Sequence, residues 1–313
     1  MQFLILMLGL TGLWAGTELI IRGAITVSKK LGLSEFIVGA AILSVGSDLP
    51  ELAIAIDVAL KNLGSIDASG IVVGSAIGST IGQIGLVLGV AALLTPLALS
   101  RRIVVRHGLV VMLGSIGLLA LVGLDGVVTQ VEGALLLAVY GAYFITLWTD
   151  VGEHGAEEEH NSRGILIALL FLVGGFAIVI VAADATVTAA VEVARALNVT
   201  ETLVAILLIG LGTSLPELSI SVSAALKRRA QLSVGNLIGS NIFDTLVPIG
   251  AAAVISRVTF DRGILTQELP YLFVLSATVL ILFARRGGVY RPQALVILGL
   301  YLAYVIAKVS GAV

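Results

Sequence analysis

Long apolar stretches, separated by short polar breaks, follow one another along almost the whole chain. A membrane-spanning helix needs about 20 predominantly apolar residues. Ten stretches come near that length, and they cover residues 3–27, 36–60, 70–97, 103–123, 127–148, 164–194, 201–226, 231–255, 264–284 and 291–310. Lipid offers the backbone no hydrogen-bond partners, so runs of this length favour helices. The pattern therefore predicts an all-α polytopic membrane protein with ten transmembrane helices.

The composition agrees with a membrane protein. Of the 313 residues, 58% are hydrophobic and 12% are charged, whereas a soluble domain carries roughly 25% charged residues. The chain contains no cysteine, which excludes disulfides and thiolate metal sites. The net charge of −2 does not indicate a nucleic-acid partner. The first apolar stretch lacks a charged leader and a convincing cleavage site, so we expect a retained span rather than a signal peptide.

One hydrophilic stretch separates the predicted spans into two groups of five. Residues 150–163 contain Glu157, Glu158 and Glu159 as well as two histidines, His154 and His160. Such a charge run is typical of a solvated linker, and the alternative is a regulatory metal site without any ligand periodicity to support it. We therefore divide the chain into a first half, residues 1–149, and a second half, residues 164–313, joined by this linker.

The two halves repeat one motif. Residues 46–51 read Gly-Ser-Asp-Leu-Pro-Glu, and residues 212–217 read Gly-Thr-Ser-Leu-Pro-Glu, each inside a long apolar stretch. The repeated regions extend over about residues 35–95 and 201–255. Because each half has an odd number of spans, the second half enters the membrane from the opposite side. Inverted repeats of this kind are typical of secondary transporters, which bind their substrate near the midplane of the bilayer.

The distribution of lysine and arginine predicts the orientation. Twelve of these residues lie in the odd-numbered connections between spans, and five lie in the even-numbered connections and at the C-terminal end. The positive-inside rule therefore places the odd-numbered connections, including the linker, in the cytoplasm. We expect a multi-pass protein of the cell (inner) membrane with both termini extracytoplasmic.

Each motif predicts a break in its helix. Pro50 and Pro216 have no backbone N–H, and their rings clash with the carbonyl groups four residues earlier, those of Gly46 and Gly212. In lipid, a carbonyl freed in this way must find a partner or line a cavity, and a cation is a suitable partner. Glycine at these two positions would also let another backbone come close.

Each motif also places a carboxylate beside a hydroxyl group. Ser47 lies four residues before Glu51, and Thr213 lies four residues before Glu217, so each pair shares a helix face. A charged side chain in hydrocarbon costs at least ~2.5 kcal/mol on insertion scales, so such residues usually face a cavity or an ion pathway. Hard oxygen donors of this kind suit Ca²⁺ or Na⁺.

A second polar patch follows each motif on the next span. It contains Ser79 and Gln83 in the first half and Ser240 and Asp244 in the second half. We hypothesise that these faces meet the two motif glutamates at the centre of the protein. With Asp244, the glutamates carry a formal charge of −3, which three Na⁺ balance and one Ca²⁺ reduces to −1. Competition between one divalent and several monovalent ions for the same carboxylates is a physical basis for exchange.

These motifs resemble those of the cation/Ca²⁺ exchanger superfamily, close to the prokaryotic sodium/calcium exchangers. The resemblance rests on residues 212–217 with residues 235–244, which read Gly-Asn-Leu-Ile-Gly-Ser-Asn-Ile-Phe-Asp, and on their first-half counterparts. It covers nearly the whole chain and implies ten helices in two inverted halves. It also implies alternating access, with the first and sixth helices sliding against a core bundle. The ion ligands that it implies are Ser47, Glu51, Ser79 and Gln83 from the first half, and Thr213, Ser214, Glu217, Ser240 and Asp244 from the second.

The first half departs from the sodium/calcium pattern at two positions. Asp48 stands where the second motif has Ser214, and it either joins the ion cage as a further metal ligand or faces a water-filled vestibule. Gln83 stands where Asn or Asp is more familiar, and glutamine there resembles the proton-coupled branch. We therefore predict a Ca²⁺/Na⁺ antiporter, and the alternative is H⁺-coupled exchange of Ca²⁺ or another divalent cation such as Mg²⁺ or Mn²⁺.

Two other classes of function compete with exchange. An intramembrane hydrolase would need an acid and a base beside its substrate, but the repeated pattern contains no Ser/His pair, and we expect none of the three histidines to lie in an apolar stretch. A passive channel agrees less well with inverted repeats that contain broken helices. We therefore predict a transporter rather than an enzyme. We expect no cofactor and no obligatory protein partner, only the lipid bilayer and the transported ions.

Overall fold

The computed structural model describes residues 2–63, 68–149, 162–196 and 214–310, and most of these residues are helical. We number the helices in chain order. They are α1 Gln2–Leu31, α2 Glu35–Ser47, α3 Leu49–Asn62, α4 Ser69–Leu94, α5 (Arg101–Ile103, Val104–Met112 and Leu113–Val122), α6 Gln130–Thr149, α7 Ser162–Ala196, α8 Leu215–Leu226, α9 Ala230–Ile255, α10 Ile264–Arg286 and α11 Arg291–Val309. Short π-helical stretches interrupt α2, α4, α5 and α10.

The number of membrane-crossing helices in the described ranges is eight, or nine if α2 and α3 form one bent span. Helix α8 is a shorter apolar helix, and the predicted span 201–226 is described only from Ser214 onward. The predicted linker, residues 150–163, is described only at its last two positions. The structure therefore confirms an all-α protein with many membrane spans.

Helices α1 and α7 are longer than a simple span requires. They contain 30 and 35 residues. At about 1.5 Å per residue they measure roughly 45 and 53 Å, whereas the hydrocarbon core is about 30 Å thick. Both helices therefore cross the bilayer at a tilt or extend beyond it.

Glycines at every seventh position bring α1 against α7. A Cβ atom on Gly16 would lie 2.7 Å from Cγ2 of Val179, and a Cβ atom on Gly23 would lie 2.7 Å from the carbonyl oxygen of Ala168. Gly9 faces Thr186 in the same way, so the two helices run antiparallel. Small residues at such an interface let the backbones approach closely in lipid, where the hydrophobic effect does not drive helix association.

Helix α9 forms the centre of the core. Every residue from Leu232 to Gly250 is buried, and α9 contacts α2, α3, α4, α6 and α8. Its closest neighbour is α2, because a Cβ atom on Gly239 would lie 2.6 Å from the carbonyl oxygen of Ala40. This close crossing brings the helix of the first repeated motif beside the polar patch of the second half.

Four two-residue strands link the halves outside the helices. Strand β1 (Leu97–Ala98) pairs antiparallel with β4 (Gly288–Val289), and β2 (Val127–Val128) pairs antiparallel with β3 (Val258–Thr259). Each of these two ribbons joins a connection of the first half to a connection of the second half. Residues 97 and 127–128 belong to strands, although they lie at the ends of predicted apolar spans. The end of an apolar run carries no signal that distinguishes two strand residues from a helix.

The glycine contacts of α1 generate a prediction about stability. We expect Gly16→Val to destabilise the protein by about 1–3 kcal/mol, because the added side chain has to displace Val179 or separate the two helices. The measurement is the thermal unfolding midpoint of the purified protein in detergent. The matched control is Gly299→Ala on α11, where a Cβ atom would meet no described atom within 4 Å. An unchanged midpoint for Gly16→Val would contradict the packing described for α1 and α7.

Candidate functional site

The first motif contains the predicted helix break. Helix α2 ends at Ser47, Asp48 leaves the helical conformation with φ −91° and ψ 4°, and α3 begins at Leu49 with Pro50 in its first turn. The two helices meet at an angle of 45°. The interruption is short, because the N–H of Leu52 still donates to the carbonyl of Asp48 at 3.2 Å. Proline therefore breaks the helix beside the carboxylate of Glu51, as expected from its ring and its missing donor.

The second motif has the same local geometry where it is described. Ser214 adopts φ −115° and ψ 12°, and α8 begins at Leu215 with Pro216 in its first turn. Ser214 therefore occupies the same position relative to its helix as Asp48. Gly212 and Thr213 lie outside the described residues, so the predicted ligand Thr213 is not placed.

A side chain, and not the backbone of another helix, fills the space beside Gly46. A Cβ atom on Gly46 would lie 2.2 Å from Cζ of Phe176 on α7. The glycine therefore accommodates an aromatic ring and not another backbone, and the expectation of a close backbone approach is wrong at this position. This contact brings α7 against the helix that carries the first motif.

All nine described candidate residues are inside the protein and not at its lipid-facing surface. They are Ser47, Asp48, Glu51, Ser79, Gln83, Ser214, Glu217, Ser240 and Asp244, and their exposed fractions range from 0% to 7%. They come from α2, α3, α4 and α9, and from the start of α8. Residues far apart in the sequence and on different helices thus contribute to one buried polar cluster.

Four carboxylates in this cluster lie close enough to repel one another. Asp48 interacts electrostatically with Asp244, Glu217 and Glu51, and Glu51 interacts with Glu217 and Asp244. Asp48 is fully buried and lies near the other three acids. Several buried charges of one sign are costly unless cations or protons compensate them. The cluster therefore favours positive ions.

The polar patches of α4 and α9 are in direct contact. The side-chain amide of Gln83 donates to Oδ2 of Asp244 at 2.9 Å and to Oγ of Ser79 at 3.2 Å. The amide oxygen of Gln83 in turn accepts a bond of 2.8 Å from Asn241 Nδ2. Gln83 therefore connects the two halves through both ends of its amide group.

Many oxygen atoms in the cluster accept no hydrogen bond from the described protein. They are Oδ2 of Asp48, Oε2 of Glu51, both carboxylate oxygens of Glu217, Oγ of Ser240 and Oδ1 of Asp244. Buried polar atoms without partners are rare in folded proteins, and these six lie in one cluster. All of them are oxygens, which is the donor type of hard cations.

The acids alone do not form a metal cage. Within the described ranges, no three acidic or histidine side chains are arranged so that they could hold one metal ion. Hydroxyl, amide or backbone oxygens would therefore have to complete the coordination of a cation. The cluster offers such groups in Ser47, Ser79, Ser240 and the Asn241 amide oxygen.

Two residues next to the cluster were missed by the sequence analysis. Asn241 holds Gln83 in place, and the polar patch of α9 already contained the signal for it. Tyr140 of α6 interacts electrostatically with Asp48 and Asp244, and its ring packs edge-on against Phe243 at 5.4 Å between centroids. Tyr140 had no sequence signal, since it lies in an apolar run and reaches the cluster only through tertiary packing.

The expectation that no histidine lies in an apolar stretch is wrong. His107 is in α5 and is buried, with its ring 5.0 Å from that of Phe36 and 6.0 Å from that of Tyr143. His107 lies within the apolar stretch 103–123, so the sequence itself already placed this histidine in a predicted span. The His107 ring thus packs against two aromatic rings of the core.

A family model described as "Sodium/calcium exchanger protein" matches residues 1–149 and 167–309. The sodium/calcium exchanger MaX1 of Methanosarcina acetivorans is 26% identical, and the match covers 97% of each chain. The inner membrane protein YrbG of Escherichia coli is 26% identical over 90% of this chain and 89% of its own. Among solved structures, the sodium-calcium exchanger NCX_Mj soaked with 10 mM Na⁺ and zero Ca²⁺ has a TM-score of 0.84 and 27% identity, with 98% of both chains covered.

The bridging role of Gln83 can be tested by unfolding. We expect Gln83→Leu to destabilise the protein by about 1–3 kcal/mol, because a buried carboxylate oxygen of Asp244 loses its N–H donor. The control is Thr80→Val on the same helix, since the Thr80 hydroxyl bonds only within α4, to the carbonyl of Ala76 at 2.7 Å. Thermal unfolding of both variants in detergent gives the comparison. If Gln83→Leu lowers the unfolding midpoint no more than Thr80→Val does, the bridge does not stabilise the fold.

Proposed function

The chain belongs to the sodium/calcium exchanger family, and from this premise we propose that it is a secondary active antiporter that exchanges Ca²⁺ for Na⁺ by alternating access. Membership makes it a membrane cation exchanger and not an enzyme. The observation that carries the proposal is the buried cluster in which Asp48, Glu51, Glu217 and Asp244 repel one another while most of their oxygens have no protein donor.

The ligand set is part of the proposal. The ions bind to Ser47, Asp48, Glu51, Ser79, Gln83, Thr213, Ser214, Glu217, Ser240 and Asp244. The burial of the nine described members and the oxygens without partners support this assignment. Carboxylates supply the charge that binds a divalent ion, and the hydroxyl and amide oxygens complete its coordination.

Exchange follows from the charge of the cluster. With Asp48 included, the formal charge reaches −4 if all four acids are ionised. One Ca²⁺ or a larger number of Na⁺ ions compensate the same carboxylates, so each ion type displaces the other. Bound ions shift the balance between two conformations only if they bind one conformation more tightly than the other. Loading and unloading of the site therefore change which conformation is favoured, and the site opens to one side of the membrane and then to the other.

We also propose the complete architecture, ten helices in two inverted halves, residues 1–149 and 164–313, around the linker 150–163. Gln83 and Asp244 hold equivalent places in the two polar patches and are 161 positions apart. Strand β3 begins 161 positions after β1, and β4 begins 161 positions after β2. The β1–β4 ribbon therefore corresponds to the β3–β2 ribbon under the repeat. This relation supports an internal repeat that extends well beyond the motifs.

Helix packing and turns support the same repeat. Gly89 packs against Leu298, and their counterparts, Gly250 and Leu137, pack against each other. The separation also relates Gly126 to Gly287, and both have positive φ, 86° and 67°. Repeats of opposite orientation would place the two motifs near the midplane from opposite sides.

The proposed location is the cell (inner) membrane, with both termini outside the cytoplasm and the linker inside. The arginine-rich odd-numbered connections support this orientation through the positive-inside rule. The relative YrbG, named as an inner membrane protein, supports the location.

The second candidate is H⁺-coupled exchange of Ca²⁺ or another divalent cation, Mg²⁺ or Mn²⁺. Two observations favour it. Asp48 adds a fourth acid to the cluster. The residue that donates to Asp244 from the first half, Gln83, is a neutral amide. Protons compensate buried carboxylates as Na⁺ does, so flux measurements have to separate the two coupling ions.

Vesicle flux tests the proposed function. We expect an outward Na⁺ gradient to drive Ca²⁺ uptake into vesicles that contain the protein. Glu51→Gln and Glu217→Gln should each lower the rate at least about 100-fold, since each removes a charge that the buried site needs. The control is Asp57→Asn, because Asp57 is an exposed acid on the same helix as Glu51 and pairs with Lys61 at 2.6 Å.

Two outcomes would change the proposal. Uptake driven by a pH gradient alone, without any response to Na⁺, would establish the proton-coupled alternative. Near-normal transport in either glutamate variant would reject a shared site built on both carboxylates.

Asp48 provides a separate prediction about selectivity. We expect Asp48→Ser, which copies Ser214 of the second motif, to change the relative affinities for Ca²⁺, Mn²⁺ and Mg²⁺ by at least about tenfold, or about 1.4 kcal/mol. The physical reason is the removal of one of four carboxylates from the cluster. Competition of each ion against radiolabelled Ca²⁺ provides the measurement, with Ser44→Ala in the last turn of α2, just before Asp48, as the control. If the relative affinities stay unchanged, Asp48 is not a ligand.

A further inference from the structure

The turn between α8 and α9 contains three consecutive basic residues with different roles. Lys227 pairs with Glu18 of α1, and Nη1 of Arg229 donates to Oε1 of Glu35 at 2.6 Å. Arg228, between them, is exposed and makes no ion pair with any residue of the described ranges. Its two neighbours thus anchor the turn, while the charge of Arg228 has no protein partner there.

Arg228 also has an unfavourable backbone conformation. Its φ is 60°, and it is the only non-glycine residue with positive φ in the described part of the chain. The N–H groups of Arg228 and Arg229 donate to the carbonyls of Ala225 and Ala224, which closes the end of α8 in the manner that usually employs glycine. The left-handed conformation costs a non-glycine residue roughly 1–2 kcal/mol. Glycine would avoid this cost, so the position indicates a use for the arginine side chain.

Arg228 borders a crevice whose lining is partly polar and partly apolar. The crevice has a volume of about 570 Å³ and is lined by Leu94, Thr95, Pro96, Leu226, Arg228 and Ala230. Leu94 and Leu226 are 46% and 59% exposed, so both present their side chains outward from the helix ends. In a membrane protein such leucines face lipid, and an arginine at the same helix ends lies at the level of the headgroups.

The surroundings of the crevice are strongly basic. The β1–β4 ribbon brings the connection after α4 to the connection after α10, and Nε of Arg291 donates to the carbonyl of Leu93 at 3.2 Å. Together with the α8–α9 turn, these connections carry Arg101, Arg102, Lys227, Arg228, Arg229, Arg285, Arg286 and Arg291. They contain no aspartate or glutamate. Lys227 and Arg229 are paired with Glu18 and Glu35, so Arg228 is the basic residue of this group that lines the crevice itself.

We propose that this crevice binds an anionic phospholipid, with the phosphate group on Arg228 and an acyl chain along Leu94 and Leu226. Basic pockets between transmembrane helices are suited to anionic headgroups, and the leucines add a surface that a free phosphate ion would not use. The site lies at the last turn of α8, whose first turn contains Glu217. A lipid bound there stabilises the α8–α9 turn whether or not the cluster carries ions, so the proposal does not depend on the coupling ion.

Lipid titration of the purified full-length protein tests the proposal. We expect phosphatidylglycerol added to the protein in detergent to form adducts in native mass spectrometry and to raise the thermal unfolding midpoint. We expect phosphatidylcholine to have a much weaker effect. Arg228→Gly should lower the affinity for phosphatidylglycerol at least about tenfold, because a charge-assisted hydrogen bond to phosphate is lost. Without lipid the same variant should be at least as stable as the wild type, since glycine relieves the left-handed strain.

The controls separate this site from general attraction between charges. Arg262→Gln removes an exposed arginine near the β2–β3 ribbon and should bind phosphatidylglycerol like the wild type. Equal binding by Arg228→Gly and the wild type would overturn the proposal, as would an equal loss in Arg262→Gln. Inorganic phosphate should not displace the lipid, and displacement at similar concentration would show a site for free phosphate instead.

Discussion

The mutual repulsion of four buried carboxylates is the constraint on which the rest of the structure depends. Asp48, Glu51, Glu217 and Asp244 are buried close together, and most of their oxygens have no protein donor. Such a group of charges is stable only with cations or protons beside it. The stability of the core therefore depends on whether positive charge compensates these acids.

The packing of the helices serves to create this cluster. Proline breaks allow α2 and α8 to present their motifs at helix ends, and glycine contacts bring α2 against the buried helix α9. Gln83 then connects α4 with α9 through a bond to each end of its amide. Helices α1 and α7 form a pair joined by glycines at every seventh position. The fold thus combines a polar centre, built from both halves, with a helix pair that packs against it through Phe176 at Gly46 and through contacts of α1 with α2 and α8.

The features that could be predicted from the sequence are those with local causes. Apolar length predicts a span, and the ring of Pro50 breaks a helix whatever surrounds it, so both were recognised. The features that were missed depend on contacts between distant residues. Tyr140 reaches the acids only through packing of α6 on α9, and the two ribbons need partners more than 100 positions away. His107 was misjudged although it lies within the apolar stretch 103–123, and its ring is buried against Phe36.

The most direct test of the central claim is equilibrium binding of radiolabelled Ca²⁺ to the purified protein, measured while Na⁺ and pH are varied independently. The carboxylate cluster predicts saturable binding that Na⁺ or protons displace competitively, because all of these ions compensate the same charges. Ca²⁺ binding that neither Na⁺ nor acid weakens would contradict a shared site, and so would a complete absence of Ca²⁺ binding at neutral pH.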